Sequence, residues 1–174
     1  NRFDGEYCET YSLSQGLRAS WLTQILIDNQ EQLWIRYQTG KGVSVINKKT
    51  GIIKHMGTAQ GLSSNNVRWM MEDKKGRIWI STEKGINVID QKAGTIKLIT
   101  NKQGLSANFS RFGFQDSKGR IWIVRGGPAI DLIDENAGTI KHIDRYLIGK
   151  NRIIFITEDK NGQMWFGTAE AGVM

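Results

Sequence analysis

The feature that most constrains this sequence is a phrase that returns four times with a nearly constant period. A tryptophan between two apolar residues recurs at steps of 45, 43 and 43 residues, and an aspartate lies six residues before each one. A period in the forties, built of short strand-like runs, is typical of the blades of a β-propeller. The repeat residues that we predict to be structural are Trp34, Trp79, Trp122, Trp165, Asp28, Asp73, Asp116 and Asp159.

Each repeat contains four strand-like runs, which we name a to d from the propeller axis outward. In the second repeat they cover about residues 67 to 72, 77 to 82, 86 to 90 and 95 to 100. Asp73 and Gly76 bound the turn between a and b, where an aspartate caps the turn backbone and glycine adopts a positive φ. Glu31 replaces this glycine in the first repeat, so we expect a looser turn there.

The period predicts an all-β chain, a β-propeller of about four blades with four antiparallel strands each. We place the blades at residues 16 to 58, 61 to 101, 104 to 145 and 147 to 174, and take residues 1 to 15 as the outer strand of a preceding blade. Three arrangements stay open. The N-terminal strand could clasp the last blade and close a four-bladed ring, or the chain could be an arc of a larger ring, or half of a dimer.

The strand-b tryptophans alternate with aliphatic neighbours, so both faces of the strand are apolar, as in Ile78, Trp79 and Ile80. A strand that buries both faces fits a blade packed between two others. We therefore interpret the tryptophans as inter-blade packing.

Composition limits the classes of partner. The formal charge of +7 would suit an anionic partner such as nucleic acid, an anionic glycan or a lipid surface, but many of the basic residues lie in turns. We expect no nucleic-acid partner for this segment. No run reaches 18 apolar residues, and the single cysteine, Cys8, excludes an internal disulfide.

No arrangement of residues points to catalysis, a metal or a cofactor. His55 and His142 fall at equivalent places in strand d and have no third ligand nearby. The Asp-x-x-Gly-x-x-Trp pattern resembles the aspartate boxes of sialidases, but those boxes are themselves structural turns. We expect no enzyme in this segment and no cofactor, with a sialidase-like glycan-active propeller as a minor alternative.

The residues that vary between repeats are the better candidates for binding, because a repeat scaffold specialises at positions that packing leaves free. Loops that enter strand a and leave strand b share one face of a propeller, where arginine forks could bind carboxylate or sulfate and an indole could stack on a sugar. The alternative is that some arginines pair with Glu72, Glu158 or Asp131 inside the blades. The predicted ligand-binding residues are Trp21, Arg36, Arg68, Arg111, Arg125 and Arg152.

The segments from Gly61 to Val67, Gly76 to Thr82 and Gly85 to Asn87 resemble the two-component regulator propeller repeat, and four copies cover nearly the whole chain. That repeat resembles the blades of periplasmic sensor regions of hybrid two-component sensor histidine kinases in Bacteroidetes. The third copy departs at Arg125, and the last copy lacks the Gly-Leu pair.

The resemblance implies a non-catalytic, ligand-sensing module in the periplasm, part of an inner-membrane protein. It would respond to an oligosaccharide and relay binding to a downstream kinase and response regulator that control transcription. The partners implied are an oligosaccharide, with an anionic one fitting the arginines, the remaining blades and kinase of the parent chain, and a homodimer as a further option. The alternative function is a protein-interaction propeller that acts as a scaffold or adaptor.

Overall fold

The computed structural model of the protein describes residues 2–3, 5–125, 129–143, 152–169 and 171–173. The described residues form short β-strands and three single-turn 3₁₀ helices. The strands, in chain order, are β1 (Arg2–Phe3), β2 (Cys8–Glu9), β3 (Leu22–Ile27), β4 (Gln32–Tyr37), β5 (Val43–Asn47), β6 (Ile53–Met56), β7 (Val67–Glu72), β8 (Ile78–Thr82), β9 (Gly85–Asp90), β10 (Thr95–Ile99), β11 (Phe112–Gln115), β12 (Ile121–Val124), β13 (Ile130–Asp134), β14 (Thr139–Ile143), β15 (Ile153–Glu158) and β16 (Met164–Thr168).

The strands form antiparallel meanders, one for each repeat. Blade 1 is β3 to β6, blade 2 is β7 to β10 and blade 3 is β11 to β14, each a four-stranded sheet in chain order. Blade 4 is described as the pair β15 and β16, with one further bridge between Gly167 and Val173. The first strands of successive blades contact one another, as expected of strands beside a propeller axis. The predicted all-β propeller is confirmed.

Residues 1 to 15, which we expected to form the outer strand of a preceding blade, contain a short hairpin. β1 and β2 pair with each other, with Arg2 opposite Glu9. In the described residues neither strand pairs with β16, so the pairing that would clasp a four-bladed ring is not seen there, which is consistent with an open arc. The predicted boundary between the third and fourth blades, at 145 to 147, lies outside the described residues.

A Gly-Leu pair precedes each of the first three blades. The three 3₁₀ helices, Leu13–Gln15, Thr58–Gln60 and Asn101–Gln103, each end at a glycine with φ near 100°, which suits glycine because it has no Cβ. The following leucines are buried. The glycine therefore ends the 3₁₀ helix that precedes the blade, and the leucine anchors this connection in the core. The three pairs are Gly16-Leu17, Gly61-Leu62 and Gly104-Leu105.

The turn between strands a and b is the same in all four repeats. In blade 2, Oδ1 of Asp73 accepts hydrogen bonds from the backbone N–H groups of Lys75 and Arg77, and the N–H of Gly76 donates to the carbonyl of Asp73 at 2.8 Å. The looser turn expected at Glu31 is wrong. Its N–H donates to the Asp28 carbonyl at 2.9 Å, and Glu31 adopts a φ of 60° to do so.

The core lies between the blades. Trp34 packs with Val67, Met70 and Ile80 of blade 2, and Trp79 packs against blade 3 in the same way. Trp34, Trp79 and Trp122 are at most 6% exposed, as packing between blades requires.

A second contact ties the turns of neighbouring blades together. Both carboxylate oxygens of Glu72 accept the Asn29 N–H of blade 1, and Glu158 accepts the N–H and hydroxyl of Ser117. Oε1 of Gln115 likewise accepts the backbone N–H of Lys74 in the neighbouring blade. The alternative in which the predicted binding arginines pair with Glu72 or Glu158 is therefore wrong. These two carboxylates lie at the ends of strands β7 and β15, next to the a-to-b turns, and bind groups of the neighbouring blade there.

The two end blades expose positions that the inner blades bury. Trp165 is 43% exposed, unlike the three other repeat tryptophans. Ile25 is 56% exposed, whereas its equivalents Met70 and Ile156 are 3% and 1% exposed. Each end of the arc therefore presents an apolar blade face to solvent.

Candidate ligand-binding face

The predicted binding residues lie at one end of the blades. Strand a begins where strand b ends, because the two are antiparallel neighbours. The residues that precede or begin strand a are Trp21, Arg68, Arg111 and Arg152, and those at the end of strand b are Arg36 and Arg125. We call this end of the propeller the arginine face.

An extra residue enters strand a on this face. The register between β7 and β8 shifts between Val67 and Trp69, which leaves Arg68 as the added residue. The same irregularity surrounds Thr23 in β3 and Ile154 in β15. A β-bulge turns the added side chain out of the strand's normal alternation, so Arg68 is exposed between two buried neighbours.

Arg36 crosses from blade 1 to blade 2. Its Nη1 donates a short hydrogen bond to the backbone carbonyl of Arg68. Its Nε is buried and has no hydrogen-bond acceptor in the described part of the protein. Burial, together with the positive charge of Arg68, lowers the pKa of Arg36 below its usual value. Two cations are thus brought together at this junction of the blades.

Arg68 is supported by an aromatic ring that we did not predict. Its Cζ lies 5.2 Å from the ring centroid of Phe109, a cation–π contact from blade 2 to blade 3. Phe109 occupies the position that Trp21, Asn66 and Arg152 occupy in the other repeats. This variation between repeats is the sequence signal that could have identified Phe109 as a binding candidate. The arginine face therefore includes Phe109.

Glu83 is an acidic group of this region. Its two carboxylate oxygens accept hydrogen bonds at 3.0 Å from Asn66 and Ser64, and these bonds, with Arg68 nearby, lower the pKa of Glu83. Glu83 forms no ion pair with Arg68 in the described residues. It moderates the positive potential of the face without neutralising Arg68.

Trp21, Arg111 and Arg152 are exposed at the same end of the blades. Trp21 is 71% exposed, and neither it nor Arg111 makes a side-chain hydrogen bond or ion pair within the described residues. A shallow cavity of about 270 Å³ lies between blades 3 and 4, and Arg111 lines it together with Phe112, Val124, Ile153 and Ile154. The structure brings Arg36 and Arg68 together and leaves Trp21 on an open surface.

Arg125 does not belong to the set that can meet a ligand. It is 5% exposed, its Nη2 forms a short ion pair with Asp131, and its Nη1 donates to the Phe109 carbonyl. Asp131 also accepts from the Ser106 N–H and contacts Nδ1 of His142 at 2.7 Å. The ligand-binding role predicted for Arg125 is thus corrected to a structural one, as the alternative pairing with Asp131 proposed.

The two histidines lie in the outer strands. Nδ1 of His55 is 2.8 Å from the Ser44 hydroxyl, which in turn contacts the Tyr37 hydroxyl. Across the described ranges, no group of three or more His, Cys, Asp or Glu residues could hold a metal ion. The same part of the chain contains no helix long and apolar enough to cross a membrane.

Two segments of the sequence match the two-component regulator propeller family, residues 61–84 in blade 2 and residues 148–170 in blade 4. A search of curated protein sequences gives no match.

Solved structures similar to this fold include extracellular domains of two-component systems and enzymes. The extracellular domain described as that of a hybrid two-component system from B. thetaiotaomicron is 21% identical with a TM-score of 0.80; the match covers 95% of this chain and 23% of that one. A second such domain is 23% identical with a TM-score of 0.72, covering 88% and 22%. Virginiamycin B lyase from Staphylococcus aureus is 18% identical with a TM-score of 0.67, covering 91% and 56%.

The matches differ in what they cover. The chain spans less than a quarter of the length of the two extracellular domains from B. thetaiotaomicron. The fold is shared, while the family match rests on two segments. The chain is therefore a β-propeller segment, similar to the extracellular domains of hybrid two-component systems, in which two of the four repeats match the two-component regulator propeller family.

Proposed function

We propose that this chain is the ligand-sensing propeller module of a two-component sensor kinase. The observation that carries the proposal is the agreement of two features: the regulator propeller match in blades 2 and 4, and a fold similar to the extracellular domains of hybrid two-component systems. In this proposal the module lies in the periplasm, as part of an inner-membrane protein. Ligand binding would be relayed to a histidine kinase and response regulator that control transcription.

The proposed ligand is an oligosaccharide that binds on the arginine face. Trp21 offers an exposed indole on which a sugar ring can stack, and Arg68 and Arg111 offer charged donors from adjacent blades. These residues vary between repeats, whereas the Trp and Asp residues that build the blades recur. An anionic oligosaccharide fits the arginines best.

The module itself is proposed to be non-catalytic, although some propellers of this fold are lyases. The two histidines, His55 and His142, lie on outer strands and contact Ser44 and Asp131. The acidic groups of the repeat, such as Asp73, bind turn backbone and tryptophan. This use of the ionisable side chains supports binding in preference to chemistry.

Two measurements test the proposal. The complete gene should encode a membrane helix and a kinase in the same reading frame, and a gene without them would contradict the sensor function. Calorimetry with uronic-acid and sulfated oligosaccharides should then show binding by the whole sensor region. The double variant Arg68→Ala, Arg111→Ala should bind more weakly, and an unchanged, salt-insensitive affinity would contradict the arginine face.

A protein-interaction propeller is the second candidate function. The fold is also similar to PorZ, a surface component of the type-IX secretion system of Porphyromonas gingivalis, at 16% identity and a TM-score of 0.66, covering 99% of this chain and 28% of that one. The exposed apolar faces at Ile25 and Trp165 favour protein contacts. A reading frame without a kinase, together with no oligosaccharide binding, would favour this function.

A further inference from the structure

Arg36 is an exception to the repeat. The equivalent positions in the other three blades hold Ser81, Val124 and Gly167, none of which carries a charge. Ser81 is fully buried and bonds to Ser110 of the next blade at 2.6 Å, so this position normally closes the junction between two blades. Packing at this junction therefore does not require an arginine.

Other partly or fully buried arginines of the described chain have a carboxylate partner. Arg77 pairs with Asp73 at 2.6 Å and with Glu135 at 2.5 Å. Arg120 pairs with Asp116 at 2.7 Å, and Arg125 pairs with Asp131. A buried cation loses its hydration, and these carboxylates replace it.

Arg36 has no such partner in the described residues. Its side chain donates a hydrogen bond to the neutral carbonyl of Arg68, and its buried Nε, like that of Arg125, donates to no acceptor in the described residues. The neighbouring charge, that of Arg68, is also positive. A partly buried guanidinium that lies beside a like charge and has no carboxylate partner is costly, unless an anion binds to its accessible N–H groups.

Arg68 is placed to share such an anion. Its guanidinium is held against the ring of Phe109, and its side chain is exposed. The nearby Glu83 already receives hydrogen bonds on both oxygens, from Ser64 and Asn66. Arg36 thus contacts the Arg68 backbone and experiences the positive charge of Arg68, so both side chains can attract the same anion.

We propose that Arg36 and Arg68 form an oxyanion-binding site, at the junction of blades 1 and 2, for a carboxylate or sulfate group. A planar fork binds such a group through parallel hydrogen bonds, which is why the geometry favours these two chemistries. The inference deepens the proposed function, since it rests on that function for the glycan that would carry the group. The site itself also accepts the inorganic ion.

The test uses inorganic sulfate as the probe and the Arg36 side chain as the reporter. The chain is titrated with sodium sulfate while sodium chloride keeps the ionic strength constant, and the Arg Nε–Hε signals are followed by NMR. We expect the Arg36 signal to shift in a saturable way. In Arg36→Gln the Arg68 signal serves as the reporter, and in Arg68→Gln the Arg36 signal does. Both variants should bind sulfate about tenfold more weakly or worse.

A matched control separates the site from general effects of charge and salt. Lys92→Gln removes one positive charge from an exposed turn on the outer edge of blade 2 and should leave sulfate binding unchanged. Sulfate stabilises many proteins without binding to a site, so melting temperatures are compared between variants. Equal stabilisation of the parent, Arg36→Gln and Lys92→Gln, with no saturable shift of Arg36, would overturn the proposal.

Sugars then distinguish the inference from the proposed function. Glucuronate should compete with sulfate at Arg36, while glucose should not. If an oligosaccharide binds equally well to the parent and to Arg36→Gln, the oxyanion site is wrong and the sensor function stands. If sulfate binding depends on Arg36 but no oligosaccharide binds, the oxyanion site stands and the proposed glycan function fails.

Discussion

The indole Nε1 of Trp79 donates a hydrogen bond to Oδ2 of Asp73 at 2.8 Å, inside the core between blades 2 and 3. The other oxygen of the same carboxylate holds the backbone of the turn that precedes strand β8. The pair recurs in every repeat, with distances of 2.8–3.0 Å. One aspartate therefore joins the turn between strands a and b to the packing between blades.

Replacing Asp73 should destabilise the chain. Asp73→Ala removes the acceptor of the Trp79 N–H, of two backbone N–H groups and of the Arg77 fork. Leaving such buried donors without a partner costs roughly 3 kcal/mol. Urea denaturation should show the loss in the free energy of unfolding. Asp159→Ala is the matched control and should cost less, because its tryptophan partner is partly exposed.

Stability should fall in acid. Burial raises the pKa of Asp73, Asp116 and Asp131, but hydrogen bonds outweigh it and leave each pKa below its usual value. These bonds come from tryptophan, arginine and backbone at Asp73 and Asp116, and from Arg125, His142 and Ser106 at Asp131. A carboxyl group whose pKa is lower in the folded state than in the unfolded state contributes stability at pH values above its unfolded pKa of about 3.9. This stability is lost as the pH falls through the folded-state pKa. We therefore expect the melting temperature to drop steeply below about pH 4.

The matched variant for the acid transition is Asp73→Asn. The asparagine amide carries no negative charge and takes up no proton in this pH range. The variant should therefore be less stable at neutral pH and should lose less stability on acidification. Thermal melts of the parent and the variant between about pH 2 and pH 7 check both expectations. Parallel pH profiles for the two proteins would contradict the role assigned to Asp73.

Glu31→Gly should stabilise the first turn. Glu31 holds a φ of 60°, where a side chain other than glycine costs about 1 kcal/mol, and the turns of the other repeats place glycine there. The change should raise the free energy of unfolding by about that amount, less the entropy that glycine adds to the unfolded chain.

Gly119→Ala provides the opposite control for that turn. Gly119 has a φ of 81°, and an added Cβ would meet its nearest neighbour, the amide nitrogen of Gln115, at an ordinary 3.9 Å. The expected loss of about 1 kcal/mol would thus come from backbone strain alone. If both variants change stability in the same direction, the backbone explanation is wrong.

The two end faces should cause self-association. We propose that a second copy of the chain covers Trp165 or Ile25, because their equivalents in inner blades are buried. Sedimentation velocity in the tens of micromolar should show species larger than a monomer. Trp165→Ser combined with Ile25→Ser should shift the distribution toward monomer, while Trp21→Ser, a change of an exposed tryptophan elsewhere, should not. A strictly monomeric parent would contradict this proposal.

The sequence by itself determined the fold class and the construction of a repeat. The steps between tryptophans set the blade period, and the observed bounds of β7 to β10 agree with the predicted strands to within about one residue. The Asp73 turn was predictable for a physical reason: its contacts join residues at most six apart, so one local pattern specifies them. Such local contacts repeat wherever the pattern does.

Only the tertiary structure decided what the non-repeating side chains do. Arg36, Arg68 and Arg125 look alike in the sequence, yet Arg125 meets Asp131 inside its blade while Arg36 meets a second cation across a junction. Partners that lie 32 residues apart, such as Arg36 and Arg68, are set by how blades pack and not by local pattern. For the same reason the sequence predicted a packing role for Trp165, but whether its face is covered depends on a neighbouring blade, and the structure leaves it 43% exposed.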